Sequence, residues 1–357
     1  MKIGIIGLKS SGKTTLFNAL TGQTAQTGYG ANRLEVNMGT VAVPDDRLDR
    51  LTAIFNPKRQ VNATVEYVDV AGVEGEGAMD PALLNQIKVT DALLVVIRAF
   101  EDENVVHPFE SVDPLRDFQS LMDEFILSDQ AIAEARIGRL EKVVQGSKNA
   151  PERTEYDLLK KIVGHLEEMK PIREMTMGGE QRKLVRGFQF LTLKPILVVF
   201  NTGEGDDGTE ILSRFHELSR DMADVEGLAV SAQIEMEISQ LPEDERVLFM
   251  EDLGLTSLAR DRVLQTSYDL LGYMSFFTVG PDECRAWTIR EGTPAQKAAG
   301  EIHSDIERGF IRAETVHYDD FIAAGTLAKC KDEGKMRLEG KEYVVRNGDI
   351  INFRFNV

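Results

Sequence analysis

Short apolar runs separated by amphipathic stretches mark the first hundred residues and return near residue 195. Lys2-Ile3-Gly4-Ile5-Ile6 reads as a buried strand, as do Ala63 to Val68, Ala92 to Ile97, Pro195 to Phe200 and Leu228-Ala229-Val230. Such runs, with helical periodicity between several of them, predict a mostly parallel sheet covered by helices, because its strands bury both faces. From about Val112 to Phe190 the texture changes. Leu115, Phe118, Leu121, Met122 and Phe125 recur at three- and four-residue steps, and Ile132, Ile137 and Leu140 extend the series. Gly146 to Thr154 breaks it with Gly, Ser, Asn and Pro, and Leu158, Leu159, Ile162, Val163 and Leu166 form a second series. Two long helices joined by a polar turn are expected, as an antiparallel hairpin interrupting the strand-bearing part. A third texture runs from about Ser275 to Val357. Phe276 to Val279, Arg285 to Ile289, Tyr343 to Val345 and the alternating Ile350 to Phe355 predict strands. Pro294 to Ile306 predicts a helix, and Gly348 with Asp349 a turn before the last strand.

The expected division is therefore residues 1–111 with 191–274, an insert at 112–190, and a terminal part at 275–357. A chain of 357 residues can hold a core in each. The hydrophobic (42%) and charged (28%) shares are those of an ordinary soluble protein. The net charge of −18 repels nucleic acid from the molecule as a whole, so any RNA contact needs a local patch. The terminal part is nearly neutral, with 12 Lys and Arg against 14 Asp and Glu, so it is the better place for one. The chain opens on its first strand without a charged leader, and its apolar runs are too short to cross a bilayer; no secretory signal or membrane contact is expected. Cys284 and Cys330 lack C-x-x-C spacing and read as free thiols in a reducing cytoplasm.

The chemistry lies at the ends of the predicted strands. Gly7-Leu8-Lys9-Ser10-Ser11-Gly12-Lys13-Thr14 fits the phosphate-loop pattern G-x-x-x-x-G-K-[ST], between a strand and a helix that continues through Thr15 to Leu20. The glycines let backbone N–H groups turn around phosphate oxygens, the helix N-terminus adds partial positive charge, and Lys13 adds a full one. A bound nucleoside triphosphate is expected, held by Gly7, Ser10, Ser11, Gly12, Lys13, Thr14 and Thr15. Asp69-Val70-Ala71-Gly72 closes another strand. There Asp69 would hold Mg²⁺ through a water, Thr14 would give the same metal its hydroxyl, and the Gly72 N–H would meet the γ-phosphate. The bland alternative is a strand-ending turn without a ligand. Asn201-Thr202-Gly203-Glu204 stands where guanine-specific GTPases carry N-K-x-D. Glu204 is one methylene too long for the Asp and the Lys is missing, so guanine selection should be weakened, or the segment is a plain loop. Ser231-Ala232 matches the short element that backs the base. Catalysis is assigned to Lys13, Thr14, Asp69 and Gly72 through positioning and electrostatics, with no confident general base.

These residues resemble the YchF subfamily of Obg-related P-loop NTPases, and the resemblance covers nearly the whole chain. It is carried most strongly outside the nucleotide motifs, by Phe276 to Pro281, Arg285 to Ile289, Ala298 to Glu314 and Asp349 to Val357, and by Val43-Pro44-Asp45-Asp46-Arg47-Leu48-Asp49. The resemblance implies an α/β architecture of three parts: a Ras-like P-loop NTPase domain, an inserted α-helical coiled-coil hairpin, and a C-terminal ubiquitin-like β-grasp (TGS) domain. It implies binding of ATP, often in preference to GTP, slow hydrolysis, and a role near ribosomes or in stress responses. The N-x-x-E form at Asn201 and Glu204 is the family's departure from guanine specificity. Val73 fits a hydrophobic family position, or is only a buried loop residue.

Several positions depart from the family. Arg33 stands in place of a first-switch Thr; it would meet a phosphate oxygen or be a solvated surface residue. Ser10-Ser11 replaces Asn-Val, which puts potassium stimulation in doubt. Val95 is matched to a His that aids hydrolysis in relatives, and valine cannot orient or deprotonate water. His303 lacks a metal-spaced partner, and Trp287 reads as core. Arg285, Arg290, Arg308, Arg312, Lys335, Arg337, Lys341 and Arg346 form either a mixed solvated surface or an RNA-facing patch. Two functions compete: a slow ATPase that also takes GTP, associated with the ribosome or RNA through its TGS and helical parts, and a nucleotide-sensing binding module with negligible hydrolysis.

Overall fold

The computed structural model describes residues 1–25, 37–70, 81–146, 151–252 and 258–356. Gly72, Arg33 and Val73 lie outside them. Strands follow in chain order as β1 (Lys2–Ile6), β2 (Asn37–Ala42), β3 (Arg59–Val61), β4 (Thr64–Asp69), β5 (Ala92–Ala99), β6 (Ile196–Thr202), β7 (Val225–Val230), β8 (Tyr273–Thr278), β9 (Glu283–Arg290), β10 (Phe310–His317), β11 (Arg337–Glu339) and β12 (Asp349–Phe355). They form two sheets, β2-β4-β1-β5-β6-β7 and β11-β10-β12-β8-β9-β3. Contacts divide the chain into one unit of Met1–Val41 with Glu66–Val263 and another of Ala42–Val65 with Leu264–Val357.

In the first unit β1 pairs parallel with β4 and β5, β5 with β6, and β6 with β7. Every residue of β6 and nearly every residue of β5 is buried, as a two-faced sheet requires. The helix Pro114–Gly146 is 33 residues long, about 50 Å at 1.5 Å per residue. Pro114 suits the first helical position, and Asp113 Oδ1 accepts from the Arg116 N–H at 3.2 Å. The helix serves two cores in succession. Phe118, Leu121, Met122 and Phe125 pack with Val95, Ile97, Val198 and Phe200. Phe118 and Phe200 both meet Phe215 edge-on, at 5.2 and 5.1 Å. Burying each such ring is worth roughly 1.5–3 kcal/mol. Ile126, Ala133 and Leu140 then turn to Leu158, Leu159, Ile162 and Leu166 of the helix Arg153–Glu167. Arg136 forks onto Glu155 at 2.7 and 3.0 Å, and Arg153 reaches Val144 O at 3.1 Å, so the second helix runs back along the first.

In the second unit β8 and β9 form an antiparallel pair, with Phe276 opposite Trp287. β12 lies parallel to β8 and antiparallel to β10, and β11 is antiparallel to β10. The other edge is β3, parallel to β9 with Gln60 opposite Cys284. Residues 42–65, grouped by sequence pattern with the first strands, thus contribute a strand and the helix Asp46–Phe55 to this unit. The Val43–Asp49 run is what seats them. Asp45 caps the helix through the Arg47 N–H at 3.0 Å and also takes the Arg47 guanidinium at 2.9 and 2.8 Å. Arg47 continues to Asn347 Oδ1 at 2.9 Å and lies over the Phe277 ring at 5.1 Å. Phe55 stacks on Phe321 at 5.4 Å.

Two expectations for this part need adjusting. Tyr343 to Val345 is not a strand. Its backbone groups pair with the start of a helix, Ala295 N–H donating to Tyr343 O at 2.7 Å and Val345 N–H to Thr293 O at 3.1 Å. The helix expected from Pro294 to Ile306 is two helices, Ala295–Ile302 and Ser304–Arg308. They are separated by an extended His303, whose ring accepts from the Asp305 N–H at 3.1 Å.

Candidate nucleotide site

The phosphate loop leaves β1 and enters the helix Lys13–Thr21. Two residues need the left-handed region, Ser10 at φ 63° and Gly12 at φ 93°. A Cβ on Gly12 would also collide with Asn201 Nδ2, and one on Gly7 with Val96 O, so both glycines are required by close approach as well. No side chain caps this helix at Gly12, which leaves its first N–H groups open to an anion. Ser11 Oγ is buried and has no hydrogen-bond partner among the described residues. Lys13 is 6% exposed and donates to Leu8 O at 2.9 Å. Burial pulls its ammonium down to about 8, with Asp69 opposing. The loop is thus a buried, positively biased cradle whose donors are parked on its own backbone or unpaired.

Asp69, 4% exposed, ends β4 beside this cradle. Its Oδ2 accepts from Thr14 Oγ1 at 2.9 Å and from Asn37 Nδ2 at 3.2 Å, while its buried Oδ1 has no partner among the described residues. Burial raises the carboxyl's pKa, and Lys13, Thr14 and Asn37 each work against that rise. Thr14 and Asp69 therefore come together as the expected metal pair. Among the described residues no group of three or more His, Cys, Asp or Glu could hold a metal alone. A hydroxyl and one carboxylate with a free oxygen instead suit a hard cation that takes its remaining oxygens from phosphate and water.

At the far side Asn201, 5% exposed, ties three elements together. Its Nδ2 donates to Ser11 O at 3.0 Å, and its Oδ1 accepts from the Ala232 N–H at 3.0 Å. Both halves of the amide bond protein, so here Asn201 braces the phosphate loop against the Ser231-Ala232 turn. Ser231 heads the helix Ala232–Gln240. Glu204 stands apart, exposed on the loop after β6. Phe100, which sequence reasoning passed over, lies against Gly203 and beneath the Arg98 guanidinium at 4.5 Å. It puts an aromatic ring beside the loop after β6.

Val95 is completely buried in the sheet core, opposite Ile6 and Val198. A residue there faces apolar side chains, so its placement gives no support to the idea that a water-orienting histidine has been replaced at this position. The histidine in the segment following β5 is His107, which the sequence reading did not consider. It is 7% exposed, with Nε2 2.9 Å from Asp117 Oδ2 and Nδ1 accepting from the Phe109 N–H at 3.1 Å.

A parallel sheet with a phosphate loop after its first strand, an Asp closing a neighbouring strand and an Asn bracing that loop defines a P-loop NTPase domain. The comparisons agree. Residues 2–124 match the model described as a 50S ribosome-binding GTPase, and residues 273–356 match the YchF GTPase C-terminal model, described as a protein of unknown function (DUF933). The chain is 43% identical to the ribosome-binding ATPase YchF of Bacillus subtilis, over 99% of each chain. It is 38% identical to the protein of the same name from Escherichia coli O157:H7, over 100% of this chain and 99% of the other. The solved structure of the Schizosaccharomyces pombe YchF GTPase superposes with a TM-score of 0.86 at 29% identity, covering 99% of this chain and 97% of that one. The chain belongs to the YchF family. Among the described residues no helix is long and apolar enough to cross a membrane.

Proposed function

We propose that this chain binds ATP with Mg²⁺, accepts GTP less well, and hydrolyses the bound nucleotide slowly while associated with the ribosome. The observation that carries the nucleotide reading is the set of unused groups at the phosphate loop: helix N–H groups without a side-chain cap, Ser11 Oγ and Asp69 Oδ1 without hydrogen-bond partners among the described residues, and Lys13 donating to the loop's own backbone. Leaving buried polar groups unpaired costs about 1–3 kcal/mol each, and a triphosphate with its metal satisfies all of them. Lys13 and the backbone amides of Ser11 and Gly12 hold the phosphates; Gly7 and Ser10 shape the loop, and Thr15 extends the helix end. Thr14 and Asp69 would hold the metal, which would supply positive charge to offset charge developing on the phosphates. Asn201, Ser231, Ala232 and Phe100 frame the base. Exposed Glu204, in place of a shorter Asp, removes the fork that would select guanine. The ribosome enters because the relatives over full length are named ribosome-binding ATPases; the helical hairpin and the terminal β unit, read as a TGS domain, are the surfaces offered to it.

Competition between ATP and GTP for the purified chain in Mg²⁺ tests the base reading: ATP should bind more tightly, and a clear GTP preference overturns it. Single-turnover hydrolysis separates a slow enzyme from a nucleotide-sensing module, for which the rate would equal that of buffer.

A further inference from the structure

The two donors on Asp69 converge on the same oxygen. Thr14 Oγ1 and Asn37 Nδ2 both bond Oδ2, and the buried Oδ1 has no hydrogen-bond partner among the described residues. Where the fold alone partners a buried carboxylate, both oxygens meet a donor or a cation: Asp129 takes the Leu191 N–H on Oδ1 at 3.0 Å and the Thr192 N–H and Oγ1 on Oδ2 at 2.7 and 2.8 Å, and Asp349, whose two hydrogen bonds also fall on Oδ2, has the Arg337 guanidinium 3.7 Å from Oδ1. Asn37 opens β2, the strand next to β4 in the sheet, so it reaches Asp69 from a different element than Thr14 does. An amide suits the task. It donates without adding charge, whereas a carboxylate would repel Asp69 and a cation would compete with Lys13 and the metal. Thr14 would also have to give a lone pair to the metal, so Asn37 is the donor that can fix the carboxylate without itself holding the ion.

Resting on the nucleotide reading above, we propose that Asn37 is a positioning residue: by pinning Oδ2 of Asp69 it presents Oδ1 to metal-bound water, and so sets the Mg²⁺ requirement of nucleotide binding. A merely structural cross-strand bond would change folding or nucleotide affinity whether or not metal is present.

The test is a Mg²⁺ titration of a fluorescent ATP analogue bound to the full chain, beginning in EDTA, for the parent, Asn37→Ala and Asn37→Leu. The leucine keeps the bulk and serves if the alanine variant does not fold. A hydrogen bond to a charged group is worth about 1.5–3 kcal/mol, so the Mg²⁺ midpoint should rise about tenfold or more in both variants. Affinity in EDTA should stay within about twofold, since in this reading the amide acts only through the metal. An unchanged midpoint, or an equal loss of affinity with and without Mg²⁺, overturns the role of Asn37. A parent chain that binds no nucleotide at any Mg²⁺ concentration overturns the nucleotide reading itself.

Discussion

Asp69 and Asp349 are both buried at strand ends, one in each sheet, both take their hydrogen bonds on Oδ2, and they differ in what faces Oδ1. Asp349 is wholly buried at the start of β12, and its partners are internal. Tyr343 OH and the Arg346 N–H reach its Oδ2 at 2.7 and 2.9 Å, and the Arg337 guanidinium sits 3.7 Å from Oδ1. Burial, reinforced by Asp349, pushes the Tyr343 phenol up to about 12, which keeps it a donor. Neither Oδ1 has a hydrogen-bond partner, but Asp349 has the Arg337 guanidinium nearby, whereas Asp69 has no ion pair among the described residues and burial raises its pKa. A charge taken out of water is tolerable when the fold itself supplies partners, or when an arriving ligand does. The terminal unit uses the first solution to lock a loop. In the proposed reading the parallel sheet uses the second.

The comparison breaks most readily at Lys13. If its burial serves a ligand, Lys13→Ala should cost at least about a hundredfold in nucleotide affinity, near 3 kcal/mol, because the phosphate charges lose a desolvated partner. Unfolding without nucleotide should be unchanged or shifted upward, since a buried ammonium has been removed. Calorimetry and thermal melts together check this; a large loss of apo stability would place Lys13 with the fold. The mirror experiment is Asp349→Ala. It strands the Tyr343 hydroxyl and the Arg346 N–H, and should destabilise the terminal unit by about 2–3 kcal/mol with nucleotide affinity intact.

Much of this contrast could be read from the chain, and the remainder has definite physical reasons for being hidden. The phosphate loop, its strand and its helix announce themselves because local chemistry and local periodicity coincide there. β5 and β6 are legible as unbroken apolar runs, and the hairpin as two series at helical spacing. β3 is not: Arg59-Gln60-Val61 is mostly exposed and acquires strand geometry only from β9. β10 is obscured by an irregularity between Phe310 and Arg312 that disrupts its alternation. The seat of residues 42–65 depends on Arg47 meeting Asn347, 300 positions away. Asn37 carries no motif and becomes visible only once β2 stands beside β4. Matching by strand directed attention to Val95 and away from His107, whose segment has no regular pattern.

Asp129 sharpens the comparison from inside the first unit, being a buried aspartate partnered by the fold. Its partners are the Leu191 and Thr192 N–H groups and the Thr192 hydroxyl; the charges of Lys88 and Arg173 also act on it. Burial outweighs these donors and lifts its pKa from 3.8 to about 6. Because the folded value lies above the unfolded one, the protonated form favours folding. Its contribution should fall as pH rises from about 4 to about 6 and level off above that, by on the order of 2 kcal/mol. Chemical denaturation of the parent and Asp129→Asn across that range should differ in slope below pH 6 and run parallel above it. Identical slopes would mean that Asp129 ionises normally in the fold.

The smallest expected effect is the most discriminating. Asp69→Asn keeps the oxygen that accepts from Thr14 and Asn37, and replaces the bare, charged Oδ1 with a neutral amide nitrogen. Relief of desolvation and the arrival of an unpaired N–H group nearly offset each other, so stability without nucleotide or metal should change by less than about 1 kcal/mol, with the sign toward stabilisation. Mg²⁺-dependent nucleotide binding should nevertheless be lost, since the amide nitrogen cannot accept from a metal-bound water. The same substitution at Asp349 puts a donor where one of its cationic or N–H partners needs an acceptor, and should destabilise. If Asp69→Asn instead lowered the apo melting transition as much as Asp349→Asn, Asp69 would be a structural carboxylate like its counterpart, and the bare oxygen would not mark a place kept for a ligand.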